Sequence, residues 1–296
     1  MQRRNFIHQM TALGSLTLAG IPQFSYAKDS KYKMGLQLFT VRDAMAKDPI
    51  ETLQKVKEMG YEDFETYGFD PKTKMIYGFK PTEFKKVLDD LNLTTTSGHY
   101  GFSDYFNASE DQLKWFVDQC IEVSSLLNAP YITWPWVHPD RRNAESFKIL
   151  ADKLNRIGEQ IKSAGLGFAY HNHGYEFENW DGTTGHDILM RITDSDLVKL
   201  QMDMYWVVHS GKTPKELVDQ QPGRYVMWHI KDMDKMTRDY SELGNGSIDY
   251  TQLLPDANKS GMEYYYIEQG GNFASSSMES VAVSAQYFKK NLKQLI

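Results

Sequence analysis

The sequence predicts an α/β chain built as a single (β/α)8 TIM barrel over residues 28–296, preceded by a cleavable signal peptide over residues 1–27. Three observations carry that expectation. Apolar, β-rich runs alternate eight times with stretches of helical periodicity, the pattern of a parallel sheet covered by outside helices. Helix-to-strand connections are short and several strand-to-helix loops are long, as where a barrel elaborates the C-terminal ends of its strands. The first such turn, Phe39-Thr40-Val41-Arg42-Asp43, lacks the Gly-rich loop of a doubly wound dinucleotide fold. The length of 296 residues fits one barrel of about 250, and neither a linker nor a second domain is visible.

The chain opens with Arg3-Arg4, continues into an apolar run from Met10 to Ile21, and reaches the small-x-small triplet Ser25-Tyr26-Ala27. This is the layout of a signal peptide. Arg3-Arg4 with Phe6 matches the twin-arginine export route, which carries folded proteins, while Ile7-His8 fits the rest of that pattern loosely. An exported, periplasmic protein is expected. The apolar run falls short of the ~20 residues of a membrane helix, and no later stretch attains that length without charges, so the mature chain should not insert in a membrane.

The eight strands are expected at Lys33–Phe39, Tyr61–Tyr67, Leu93–His99, Pro130–Trp136, Leu166–His171, Val198–Asp203, Arg224–His229 and Glu263–Glu268. The helices between and after them are expected at Ile50–Met59, Pro81–Leu91, Ser109–Leu127, Asp140–Ala164, His186–Thr193, Pro214–Gln220, Tyr250–Ser260 and Met278–Leu292. Gly60, Asn92, Asn128, Gly165 and Gly261 stand where left-handed C-caps would stop five of them.

With 33 Lys+Arg against 39 Asp+Glu, the net charge is −6 and no basic cluster offsets it. A protein held on phosphate backbones by counterion release is therefore disfavoured, and no nucleic-acid partner is expected. Cys120 is alone, which excludes a disulfide framework; inside a helical stretch it reads as a small buried thiol.

Four consecutive strands end in metal-ligating residue types. These are His171 within Tyr170-His171-Asn172-His173, Asp203, His229 within His229-Ile230-Lys231-Asp232, and Glu268. Their separations of 32, 26 and 39 residues are each near one βα repeat, so the side chains can converge at the barrel mouth. Two imidazoles and two carboxylates form a borderline donor set suited to one divalent ion: manganese foremost, with cobalt, iron, zinc or magnesium as alternatives. Each residue also has a plainer reading. Asp203 would cap the following loop and His229 would be a hydrogen-bonded core histidine, whereas a buried Glu268 needs a cation or donor in any case.

Together, Tyr170–Phe177, Asp203-Met-Tyr-Trp206, His229-Ile-Lys-Asp232, Leu243–Asp249 and Tyr266-Ile-Glu268-Gln resemble the xylose isomerase-like barrel superfamily, the sugar phosphate isomerase/epimerase group. The resemblance spans nearly all of the mature chain. It implies a metal site on His171, Asp203, His229 and Glu268, and an isomerase or epimerase working by proton abstraction next to a carbonyl and a metal-stabilised enediolate. His171 departs from the pattern, because keto-sugar epimerases of the group carry a glutamate there that acts opposite the strand-eight glutamate. A histidine-rich fifth strand is similar to the dehydratase branch, and implies as the alternative a lyase eliminating a β-substituent from a 3-keto-sugar, keto-glycoside or keto-inositol.

Glu268 and His173 are the candidate bases, with His99 as a third group and Glu176 near enough to serve in proton transfer or substrate binding. Lys231 shares the face of His229, where it would hold a sugar oxygen or pair with Glu268 or Asp203. Trp134, Trp136, Trp206, Phe39 and Tyr100 lie at or beyond strand ends and offer a sugar platform, though each alone reads equally as packing. Gly244-Asn245-Gly246 reads as a tight turn before the Asp249 N-cap rather than a phosphate cradle. An unphosphorylated small-molecule sugar is thus the expected substrate. A nuclease similar to endonuclease IV would enlist His99 and His138 but needs a basic groove, and a non-catalytic sugar-binding barrel is the remaining alternative.

Overall fold

The computed structural model describes residues 31–296, so the expected export signal lies outside the described residues. Eight parallel strands close a barrel: β1 (Gly35–Gln37), β2 (Asp63–Thr66), β3 (Thr94–His99), β4 (Tyr131–Trp134), β5 (Gly167–His171), β6 (Lys199–Asp203), β7 (Met227–Ile230) and β8 (Tyr264–Ile267). Each pairs with the next and β8 pairs with β1. Every expected strand is present, trimmed by up to three residues at an end, and β7 runs one residue further than expected, to Ile230. No helix among the described residues is long and apolar enough to cross a membrane.

The outer layer follows local signals. Helix α1 (Pro49–Glu58) begins at the Asp48 N-cap and α2 (Pro81–Asp90) at Pro81. Helix α3 (Glu110–Leu127) begins at a capping box of Ser109 with Gln112 and ends at Asn128, whose φ of 55° is left-handed. Gly60, Asn92, Gly165 and Gly261 also take positive φ, which explains why each strand starts so soon after its helix. Helix α4 (Ala144–Ser163) starts later than expected, because Asn143 accepts a hydrogen bond from the Ser146 N–H and caps it, leaving only a short turn at Pro139–Arg141. After α5 (Gly185–Ile192) and α6 (Pro214–Gln220), the stretch expected as one helix splits into α7 (Tyr250–Leu253) and α8 (Ala257–Ser260). Pro255 between them has no N–H to continue the ladder. The last helix, α9 (Ser277–Tyr287), passes into a π turn over Phe288–Leu292.

Most of the core lies between barrel and helices and includes Leu53, Phe84, Phe116, Cys120 and Leu154, all essentially inaccessible. Burial lifts the Cys120 thiol well above its ordinary range, as expected of an inert core residue. A separate small cluster of Tyr131, Ala169, Val226, Met227 and Tyr266 fills part of the barrel interior. The Gly244–Gly246 turn does cradle an anion, but one of its own chain. Asp232 accepts hydrogen bonds from the N–H groups of Gly244, Gly246, Ile248 and Met233. A Cβ on Gly246 would stand 2.1 Å from Asp232 Oδ1. Asp249 caps α7 as expected.

Candidate metal centre and active site

The strand ends bring His171, Asp203, His229 and Glu268 together. One ligand atom from each lies within 4.8 Å of the others, and all four residues are buried. His171 and Asp203 close β5 and β6, His229 sits one residue before the end of β7 in register with Asp203, and Glu268 follows β8 directly. Asp203 fulfils its plainer reading as well. Its Oδ1 caps the short helix Met204–His209 through the Trp206 N–H at 3.2 Å, while Oδ2 turns toward the tetrad.

The donor chemistry fits a divalent cation. His171 Nδ1 lies 3.1 Å from the Pro135 carbonyl, which makes Nδ1 the protonated nitrogen and leaves the Nε2 lone pair facing Asp203 Oδ2 at 3.3 Å. Two acceptors so placed need a shared proton or cation. Burial lowers His171 to about 4, so the ring is neutral and a shared proton is disfavoured. His229 Nδ1 and Glu268 Oε2, both buried, lie 2.5 Å apart but out of hydrogen-bond alignment, and the carboxylate oxygen is met instead by the Lys231 ammonium at 2.7 Å. A cation bound by the four side chains would satisfy all of these atoms.

Within the protein itself, Lys231 is the nearest substitute. Its Nζ stands 2.6 Å from Asp203 Oδ2 and 2.7 Å from Glu268 Oε2. Burial would raise both carboxyls, but Lys231 overrides it, holding Asp203 at about 2 and Glu268 well below the usual range. The same carboxylates raise the Lys231 ammonium against the opposing effect of burial. The salt bridges foreseen as the plainer role of Lys231 are therefore present.

Beneath the tetrad lies a layer that the sequence reading missed. Glu65 on β2, fully inaccessible, accepts hydrogen bonds from Gln37 Nε2 at 2.7 Å, Ser97 Oγ at 2.6 Å and Gln201 Nε2 at 2.7 Å. His229 Nε2 stands 2.6 Å from it and His99 Nε2 3.0 Å. Burial would raise the Glu65 carboxyl, yet the two imidazoles draw it well below its ordinary value. His229, which burial alone would lower, is held at about 9 between Glu65 and Glu268. Glu65 thereby fixes the orientation of His229 from behind, as a carboxylate does for a metal-bound imidazole. The signal was the inward alternation of Asp63 and Glu65 within β2, which aims two carboxylates into a barrel.

Above the tetrad, a cavity of about 440 Å³ is lined by Phe39, Tyr100, Trp136, His99, His171, His173, Lys231 and Glu268. Adjoining it, a second of about 650 Å³ holds Trp206 and again Trp136 and His173. Two expected substrate contacts do not reach either. Trp134 is fully buried, stacked on Phe102 at 5.1 Å, because it points outward from β4 into the helix layer. Glu176 is also fully buried, accepting from Tyr170 Oη at 2.6 Å and the His173 N–H at 2.8 Å, so it shapes the β5 loop rather than touching a ligand. Burial raises Glu176 to about 7 and keeps His173 neutral, well below its ordinary value. His138 is exposed beside Asp140 and stands apart from the cluster, which removes the extra ligand a trinuclear nuclease centre would need.

The four side chains could hold one divalent ion at the barrel mouth, with His173 beside the same cavity as a proton-carrying group. A family model described as xylose isomerase-like TIM barrel matches residues 53–287. The chain is 26% identical over 213 residues to an inosose dehydratase of Clostridium perfringens, covering 65% of this chain and 69% of that one. Its fold superposes on a sugar phosphate isomerase/epimerase from Parabacteroides distasonis with a TM-score of 0.78 at 25% identity, covering 91% of this chain and 97% of the other. A xylose isomerase-like TIM barrel protein from Mycobacterium smegmatis, solved in complex with magnesium, superposes with a TM-score of 0.65 at 17% identity over 90% and 98% of the two chains. Closed by eight parallel strands and matched over most of its length, the chain belongs to the xylose isomerase-like TIM barrel family.

Proposed function

We propose that the protein is a metal-dependent lyase that removes a proton next to the carbonyl of an unphosphorylated keto-sugar and expels a β-oxygen. The observation that carries this reading is His171. With an imidazole at the end of β5, the tetrad has a single glutamate, Glu268, and its other carboxylate, Asp203 on β6, is ion-paired to Lys231. The similarity to an inosose dehydratase points the same way. A divalent ion on His171, Asp203, His229 and Glu268, manganese by the donor set, would polarise the carbonyl and acidify the adjacent C–H.

The protein's own groups then divide the work. Neutral, buried His173 lines the cavity and is ready to accept the proton, leaving an enediolate. The Lys231 ammonium, at the same wall, faces the oxyanion that develops. The enediolate then re-forms the carbonyl, its C=C pair becomes the new double bond to the β-carbon, the β C–O bond breaks, and the protonated His173 returns its proton to the departing oxygen. Phe39 and Trp136, 40% and 37% exposed, offer ring faces to the apolar side of the sugar.

His173→Asn should cut turnover of 3-keto-sugars by about 10²–10⁴-fold while leaving metal content intact, as read by product mass and by metal analysis. Full activity in that variant would refute the assignment. An isomerase or epimerase reading has one observation in its favour: His173 and Glu268 both border the cavity from different strands, as two proton-transfer groups would. Solvent deuterium entering recovered substrate with no loss of a β-substituent would establish that reading instead.

A further inference from the structure

The mouth of the barrel has two chambers, and a single sugar ring needs only one. The first, about 440 Å³, lies over the tetrad. The second, about 650 Å³, opens beside it, and the two share three wall residues: Trp136, His173 and Tyr240. Both volumes fall in the range of small-molecule sites, about 300–1,000 Å³. The second contains no part of the tetrad, so it is not explained by metal chemistry.

Its walls have the composition of a carbohydrate subsite. Trp206 and Trp136 supply rings for stacking, and the Trp206 indole N–H is a buried donor without a protein partner. Arg142 is laid across the rings of Tyr175 and Trp136, 3.8 and 5.4 Å from their centroids, with Nε bonded to the Val137 carbonyl. The opposed charges of Arg142 and Glu178, with His209 and Ser210, suit a neutral polyhydroxylated ring better than a phosphate. His173 stands on the boundary, where the bond to a leaving group in the second chamber would be broken.

We infer that the substrate is a keto-glycoside whose keto ring sits over the tetrad and whose second ring, attached through the departing β-oxygen, occupies the chamber of Arg142, Trp206 and His209. This rests on the lyase reading for the reaction but not for the binding. The step balances without a co-reactant: the proton leaves the carbon for His173, the C–O bond breaks, and the second ring departs as an alcohol carrying that proton.

Two measurements on the mature protein test it separately from the chemistry. For the metal-loaded enzyme, kcat/KM for 3-keto-cellobiose should exceed that for 3-keto-glucose by about 10-fold or more. Arg142→Ala and His209→Ala should bring the ratio toward one, and Ser210→Phe should do so by filling the chamber while Arg142, Trp206 and His209 remain. Calorimetric titration with unoxidised cellobiose and glucose reads the same preference in a protein that turns nothing over, so failure of the lyase reading leaves this arm intact. Tighter binding of cellobiose, lost in the three variants, supports the second-ring site. Equal affinities, or binding of neither sugar, together with equal kcat/KM where turnover occurs, overturn it.

Discussion

Replacing Lys231 by methionine tests whether the tetrad needs a cation. The ammonium lies 2.6 Å from Asp203 and 2.7 Å from Glu268, with all three side chains at most 9% exposed. Methionine keeps the methylene packing but removes the charge, so two carboxylates remain buried against one another. Breaking a buried ion pair costs about 3–5 kcal/mol. Here the charged His229 stays beside Glu268, which places the expected loss near the lower end, at about 3 kcal/mol. For a domain of this size each kcal/mol lowers Tm by about 2–4 °C, so in chelator the variant should melt roughly 6–12 °C below the parent. Differential scanning fluorimetry with added manganese provides the second half of the test. A divalent ion takes over the lost charge, so the variant should gain more in Tm than the parent, in which ion and ammonium compete for the same oxygens. A variant that melts within about 2 °C of the parent in chelator would refute the electrostatic argument. One that unfolds as predicted but gains nothing from any divalent ion would refute the metal site.

Three further outcomes are expected. Glu65→Gln should weaken metal binding about 10–100-fold by titration with little change in shape, because His229 loses its orienting carboxylate. Asp63, buried at the start of β2, is raised by burial from its ordinary 3.8 to about 6, so the folded protein holds its proton more tightly than the unfolded chain. Stability is thus lost as pH rises from about 4 to about 6, by about 3 kcal/mol in all, and Asp63→Asn should recover up to that amount at pH 7 and nothing below pH 4 in urea unfolding. Gly246→Ala places a methyl 2.1 Å from Asp232 Oδ1 and must open the turn that satisfies that carboxylate, lowering stability by about 2–3 kcal/mol in the same assay.

The strands and the tetrad were legible for one reason: both are periodic. A barrel strand announces itself by apolar runs at a regular spacing, and ligands at equivalent ends inherit that spacing, which is why His171, Asp203, His229 and Glu268 stood out without any three-dimensional information. What escaped was fixed by direction rather than spacing. Trp134 and Trp136 both belong to the β4 strand end, yet Trp134 faces the helices and Trp136 faces the cavity. Glu176 is near enough in sequence to His171 and His173 to suggest proton transfer or substrate binding, but the β5 loop folds it back onto Tyr170. Pro255 was a visible break that the helical pattern on either side obscured.

Glu65 exposes a deeper reason. A reading that looks for polar groups at strand ends assumes that everything below the mouth is apolar filling, and here that holds only for the small cluster around Met227 and Tyr266. Between that cluster and the tetrad, Gln37, Glu65, Ser97 and Gln201 form a hydrogen-bonded layer crossing from β2 to β6. Such a layer is costly unless every member is satisfied, and Glu65 meets five donor-bearing side chains. The benefit lies above it: His229 is gripped at Nε2 by a carboxylate that the layer holds in place, so its Nδ1 is committed to the tetrad. An apolar layer would leave that ring free to turn, and the position of one ligand would no longer be defined by the fold.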